Sequence, residues 1–186
     1  MGKDTTILTA TVHDPVGRLA SATQRLAGPL RRIFPAIALN VSDATRPEVV
    51  AALEALGATI MVHVADEATI GKARRDAVAM AAGQPALYAD FDHMLRWIEF
   101  GPADLRRVLA AQPEADMLVV GRSPAALAHE PQRLQQSERL VNHVHALLTG
   151  ENWDLMFAVR RLSPVAAGLI VQEGRVDTLA NDVEWP

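Results

Sequence analysis

Along the chain, short apolar runs alternate with longer segments whose apolar residues recur at helical spacing. Ile7-Leu-Thr-Ala-Thr-Val12 reads as a first strand and is broken by Asp14-Pro15. Leu19, Ala22, Leu26, Leu30 and Ile33 then mark a helix between Gly17 and Phe34. Ala36 to Val41 reads as a second strand, followed by the polar loop Ser42-Asp43-Ala44-Thr45 and a helix from Pro47 to Gly57 with Glu48 in its first turn. Thr59 to Val64 gives a third strand, and Thr69 to Ala82 a helix that stops at Gly83. Ala86 to Ala89 is a fourth strand running into Asp90-Phe91-Asp92-His93; a helix over Pro102 to Ala111 and a fifth strand over Asp116 to Val120 follow. Strand and helix in strict alternation predict an α/β fold, a three-layer α/β/α sandwich with a mostly parallel central sheet.

The last third breaks the rhythm. Pro131 to Leu148 reads as one long helix stopped by Gly150, Ser163-Pro164 opens a short helix towards Val171, and Val176 to Pro186 is irregular. No repeat or linker interrupts the chain, so residues 1–186 are expected to form a single domain whose role changes near residue 123.

Composition narrows the chemistry. With no cysteine among 186 residues, disulfides, thiolate metal sites and cysteine nucleophiles are excluded. A net charge of −4 and 4% aromatics argue against nucleic acid as a partner. No run approaches the ~18 apolar residues of a membrane span, and no signal peptide is evident, so the expected location is cytoplasmic. Gly2 and Thr6 fit a loose myristoylation pattern, but a strand from Ile7 would leave the lipid no free arm.

In an open α/β sheet, ligands sit beyond the carboxyl ends of the strands. Asp14, Asp43, Asp66, Glu67, Asp90 and Asp92 all fall there. Such a rim repels a bare phosphate and suits a divalent cation carrying phosphates; the plainer reading is that Asp favours turns. Asp90 and Asp92, at i and i+2 after a buried strand, can share Mg2+ or Mn2+, with His93 or Glu99 completing or orienting the site. Lys72, Arg74 and Arg75 offer cations to a phosphate, or a solvated helix face. Trp153-Asp154 suits contact with a sugar or acceptor, the ring packing on C–H groups and the acid on hydroxyls, or else Trp153 is a core plug. His143 and His145 lie two apart on a helix and cannot share an ion, His129 reads as a loop residue, and Trp97 as structural. Glycine-rich phosphate loops, G-x-S-x-G and H-E-x-x-H are absent.

Four segments carry a resemblance: Thr9-Ala-Thr-Val-His-Asp14, Asn40-Val-Ser-Asp43, Gly71-Lys-Ala-Arg-Arg-Asp-Ala77 and Ala86-Leu-Tyr-Ala-Asp-Phe-Asp92. In this order they resemble the GT-A fold of nucleotide-sugar glycosyltransferases, a Rossmann-like topology. The resemblance covers residues 7–122 as the nucleotide-sugar-binding part and leaves 123–186 as an acceptor side expected to be incomplete. It implies donor contacts from His13, Asp14, Asp43, Arg74, Arg75 and Asp90, and a metal on Asp92, the ion that the spacing of the residues also offers to Asp90 and His93. It implies a catalytic base in Asn181-Asp182-Val183-Glu184, with Asp182 first and Glu184 second. The expected activity is metal-dependent transfer of a sugar from a nucleotide-sugar donor to an acceptor. A non-catalytic nucleotide-sugar-binding or scaffold domain is the alternative, and a sugar nucleotidyltransferase a further one. Ala- and Leu-rich helices leave room for a homodimer face.

Overall fold

A computed structural model describes residues 6–185. The lipidation pattern at Gly2 and the last residue of the tail, Pro186, lie outside them.

Six strands form one mixed sheet: β1 (Ile7–Val12), β2 (Ile37–Ser42), β3 (Thr59–His63), β4 (Ala86–Asp90), β5 (Met117–Val120) and β6 (Val159–Leu162), in the order β3-β2-β1-β4-β6-β5. β1, β2, β3 and β4 pair in parallel. β6 is antiparallel to both β4 and β5, so β5 runs the same way as β4 and β6 alone is reversed. The alternation predicted the parallel strands; it did not predict β6, which sits between β4 and β5.

The helices follow the apolar pattern. α1 (Leu19–Ile33), α2 (Pro47–Ala55), α4 (Phe91–Phe100) and α5 (Pro102–Ala110) cover one face, where Leu8, Leu39 and Leu87 meet Leu30, Leu53, Met94 and Leu105. α3 (Ile70–Ala79) and α8 (Pro164–Glu173) cover the other, where Ala77, Tyr88, Leu162, Ile170 and Trp185 form a second cluster. α4 starts at Phe91, so the acid pair is a strand–helix junction rather than a loop, and Phe91, Met94, Leu95 and Ile98 are the buried face that drives the helix. α6 (Pro124–Leu127) and α7 (Gln132–Thr149) follow β5, and α9 (Asn181–Glu184) gives the irregular tail one helical turn.

Strand residues facing α3 alternate with the apolar set and are largely polar. Thr9, Thr11, Asn40, Tyr88 and Arg160 are all buried there. This polar layer ends at the carboxyl edge of β4 and positions the acids described next. The tail crosses α3 at Gly71, whose amide donates to Asp177 O at 2.6 Å. A Cβ on Gly71 would lie 2.5 Å from Val176 O and 2.6 Å from Thr178 O, so only glycine allows the approach.

Candidate functional site

The strand order reverses between β1 and β4: the chain leaves β1 towards β2 and leaves β4 towards β5. A crevice for a small ligand is expected outside the carboxyl ends at such a point. His13 and Asp14 follow β1 there, Asp43 follows β2, and Asp90 and Asp92 bound the start of α4.

These residues play unequal parts. Asp14 is buried and accepts from the amides of Val16 (3.2 Å), Gly17 (2.9 Å) and Leu19 (2.7 Å), fixing the entry to α1. Burial opposes its charge, but these amides outweigh burial and hold its carboxyl below the ordinary range. Asp14 is therefore spent on the backbone, the turn role weighed for it from sequence. His13 is exposed, with Nδ1 sharing a 2.8 Å hydrogen bond with Ser42 Oγ. Asp43 accepts from Ala65 N at 2.9 Å and remains exposed. Asp66 caps the short turn after β3. His63 bonds to Asn40 Oδ1 at 3.0 Å, and burial pushes its imidazole below the ordinary value.

Asp90 is the pivot. One oxygen accepts from Thr11 Oγ1 (2.8 Å) and Tyr88 Oη (3.3 Å), and the other from Arg74 Nη2 (3.0 Å). Arg74 reaches across to Asp182 Oδ2 at 2.8 Å and Asn181 Oδ1 at 3.2 Å. The side chains of Arg74 and Asp182 are only 6% and 4% exposed. Burial works against Arg74, yet Tyr88, Asp90 and Asp182 together raise its value. Burial pushes Asp182 up, and Arg74 pulls it only part of the way back. Three residues that sequence singled out separately thus form one buried network. Arg74 has no open face for a phosphate. Asp182 is buried and holds Arg74.

The neighbouring residues are engaged as well. Arg75 donates to Val176 O at 2.5 Å and pairs with Asp177, so it ties the tail rather than facing the crevice. Glu184 Oε1 accepts from the amides of Arg175 (2.6 Å) and Val176 (3.0 Å), closing the tail on itself. Lys72 pairs with Asp76 at 2.6 Å, and Glu99 with Arg25 at 2.5 Å.

Asp92 differs from all of these. It is exposed in the first turn of α4 and has no hydrogen bond or ion pair among the described residues. Its neighbour His93 stacks on Phe157 at 5.0 Å, with Nδ1 buried and unpaired. Among the described residues no three His, Asp or Glu side chains stand together as a complete metal cage. Mg2+ does not need one, because it is commonly held by one or two carboxylates plus substrate phosphates and water. Asp92, exposed and without a partner among the described residues, could supply one such carboxylate, whereas both oxygens of Asp90 already accept from Thr11, Tyr88 and Arg74. His93 is turned onto the Phe157 ring, with Nδ1 buried.

A cleft of about 760 Å³ opens beside His93, between α4, α5 and the end of β5. On its wall lies Arg122, just past β5, a residue sequence reading passed over because its partners are distant in the chain. It donates to Asp154 through Nε (2.8 Å), Nη2 (2.9 Å) and its amide (2.9 Å), and to Glu138 at 2.5 Å. Its guanidinium lies 5.2 Å from the centre of the Phe157 ring. Asp154, weighed as a sugar contact, is consumed by this pairing and by Asn142 (3.0 Å). Burial opposes its charge, and the bonds from Arg122 more than offset that and keep its carboxyl below the ordinary range. Trp153 is 37% exposed and stacks on His145 at 5.6 Å beside a second, smaller cleft; it is not a core plug.

In comparison with known proteins, the chain matches no family model, no curated protein and no solved structure.

Proposed function

We propose that this chain binds a nucleotide-diphosphate sugar with Mg2+ or Mn2+ at the carboxyl edge of its sheet and transfers the sugar to an acceptor, in the manner of GT-A glycosyltransferases. The observation that carries this reading is Asp92, an exposed and unpaired carboxylate in the first turn of α4, next to the reversal in strand order. His13 and Asp43, exposed at the ends of β1 and β2, suit contact with the nucleoside. Arg74 and Arg75 are occupied by the tail, so neutralising the diphosphate falls to the cation. When bound, that ion would stabilise charge on the departing diphosphate. Asp92 would hold it, with Asp90 kept in place behind by Thr11, Tyr88 and Arg74.

Transfer would join an acceptor oxygen to the anomeric carbon and break that carbon's bond to the diphosphate, which leaves with the electron pair. The hydroxyl proton passes to a base. The resemblance nominates Asp182, which would first have to leave Arg74. That requirement favours a second reading, binding without transfer. A thermal-shift panel of nucleotides and nucleotide sugars, with and without Mn2+, tests the common step. A ligand at 100 times its Kd should stabilise by about 2.7 kcal/mol. Stabilisation that needs the metal and is lost in Asp92→Asn supports the site, and no shift under any condition refutes it. Release of nucleoside diphosphate on adding acceptors then separates transfer from binding.

A further inference from the structure

The cleft beside His93 has a composition that selects its ligand. Its walls are apolar and aromatic: Trp97, Phe100, Val108, Val120 and Phe157. Trp97 and Phe157 are neighbours with ring centres 6.5 Å apart and planes tilted by 59°, and because His93 and Arg122 pack on the Phe157 ring, Trp97 is the aromatic surface left to a ligand. The volume, about 760 Å³, is in the range of small-molecule sites. An apolar ligand would suit the walls alone, but the rim argues against one. Arg96 lies 3.8 Å from Glu130, and Arg107 pairs with Asp104. These pairs surround the cleft with donors and acceptors of both signs.

Charge then decides between a neutral and an anionic ligand. The rim pairs cancel. Behind the wall, Arg122 is already matched by two carboxylates, Asp154 and Glu138, so the cluster is net negative. An anion would enter against that charge, whereas a neutral oxygen would not. Arg122 Nη1 and the Trp97 indole N–H have no partner among the described residues, and both residues line the cleft; His93 Nδ1 is unpaired too, but it is buried and closed off from the cleft. A buried or half-buried polar atom without a partner is costly and gains most from a ligand that supplies one. The ligand class combining an apolar face of C–H groups with neutral hydroxyls is a saccharide, whose ring face packs on aromatic side chains while its hydroxyls meet the polar atoms.

We propose that this cleft is a binding site for a neutral saccharide, seated against Trp97 and hydrogen-bonded by Arg122 and Trp97. Its role as the acceptor rests on the transfer reading above. The binding itself does not, because no nucleotide or metal residue takes part.

The test is a titration of the 15N-labelled protein, free of nucleotide and metal, with glucose, galactose, mannose, N-acetylglucosamine, maltose and cellobiose. The chain has three tryptophans, so its indole N–H signals are few and assignable by substitution. The expected result is a saturable shift of the Trp97 indole signal while those of Trp153 and Trp185 stay fixed. Glucuronate should bind at least tenfold more weakly than glucose. Phe100→Ala, at a rim residue that is 80% exposed and so safe for the fold, should weaken binding severalfold. Trp97→Ala should abolish saturation transfer to the sugar ring protons. The proposal is overturned if no saccharide moves the Trp97 signal, if Trp153 responds instead, or if glucuronate binds as well as glucose. Saccharide binding in a protein that ignores every nucleotide would keep this inference and remove the donor reading.

Discussion

Arg74→Leu is the sharpest test of the buried network. The substitution keeps an apolar body of comparable shape but removes the cation shared by Asp90 and Asp182, at 3.0 and 2.8 Å. Asp182, 4% exposed, would then face a second carboxylate with no partner of its own except the more distant Arg160. Breaking a buried pair by removing one member costs about 3–5 kcal/mol. For a chain of this size, at about 2–4 °C per kcal/mol, the melting temperature should drop by roughly 6–20 °C. Asp182→Asn is the matched control. It keeps an acceptor for Arg74 and leaves Asp90 in place, so its cost should be nearer 1–2 kcal/mol, that of a weakened hydrogen bond. The two also differ in pH dependence. Burial raises the folded-state value of Asp182 above its unfolded one, so its contribution is fully present below the ordinary carboxyl range and declines as pH rises from that range to the raised value. The stability gap between wild type and Asp182→Asn should therefore narrow across that window. Urea denaturation at a series of pH values measures both effects. An Arg74→Leu protein within 1 kcal/mol of wild type, with the same pH slope, would refute the assignment of this cluster as a closed ion network.

Gly71→Ala should either cost about 1–3 kcal/mol as overpacking or release the tail, and protease cleavage between residues 174 and 185 distinguishes it from Gly168→Ala, where an added Cβ meets nothing within 4 Å. Asp92→Asn should lower the melting temperature by no more than a degree or two without ligand, since Asp92 makes no hydrogen bond or ion pair among the described residues and only its place in the first turn of α4 favours a carboxylate; a loss of several degrees would show that it is structural. Asp154 sits below its ordinary range, so its contribution is fully present above about pH 4 and lost as pH falls through the depressed value. Asp154→Asn should accordingly flatten the acid limb of the stability curve, as read by thermal melts from neutral pH downward.

Periodicity was a good guide wherever burial follows hydropathy. The five strands that run the same way and most of the helices are legible on that basis. β6 is not, because Val159-Arg160-Arg161-Leu162 places two arginines in a fully buried strand. Arg160 donates to the carbonyls of Val159, Leu155 and Asp182, and Arg161 to those of Leu109 and Gln112, and no local pattern shows the acceptors at Asp182, Leu109 and Gln112, which lie far along the chain. α4 is missing from the sequence reading, which takes the acid pair as a loop before a helix at Pro102, although Phe91, Met94, Leu95 and Ile98 form its buried face. α7 inverts the rule: Glu138 and His145 face inward, while Leu140, Val144, Leu147 and Leu148 are exposed. For the site, sequence brought out Arg74, Asp90 and Asp182 as separate groups. Their mutual pairing, and the whole environment of Arg122, depend on tertiary contacts that spacing does not encode.

The reversed strand also sets an order of assembly. β5 pairs only with β6, and β6 lies between β5 and β4. β1 to β4 can therefore knit together from the first half of the chain, while β5 must wait with no partner until residues 159–162 arrive. Closing a loop of that length is paid before any ladder bond returns the cost. The amides of Leu118 to Val120 should be among the last strand positions to gain protection in pulse-labelled hydrogen exchange. The cleft beside His93, walled by the end of β5, would come into being only in that final step, after the crevice at β1 and β4 has already formed.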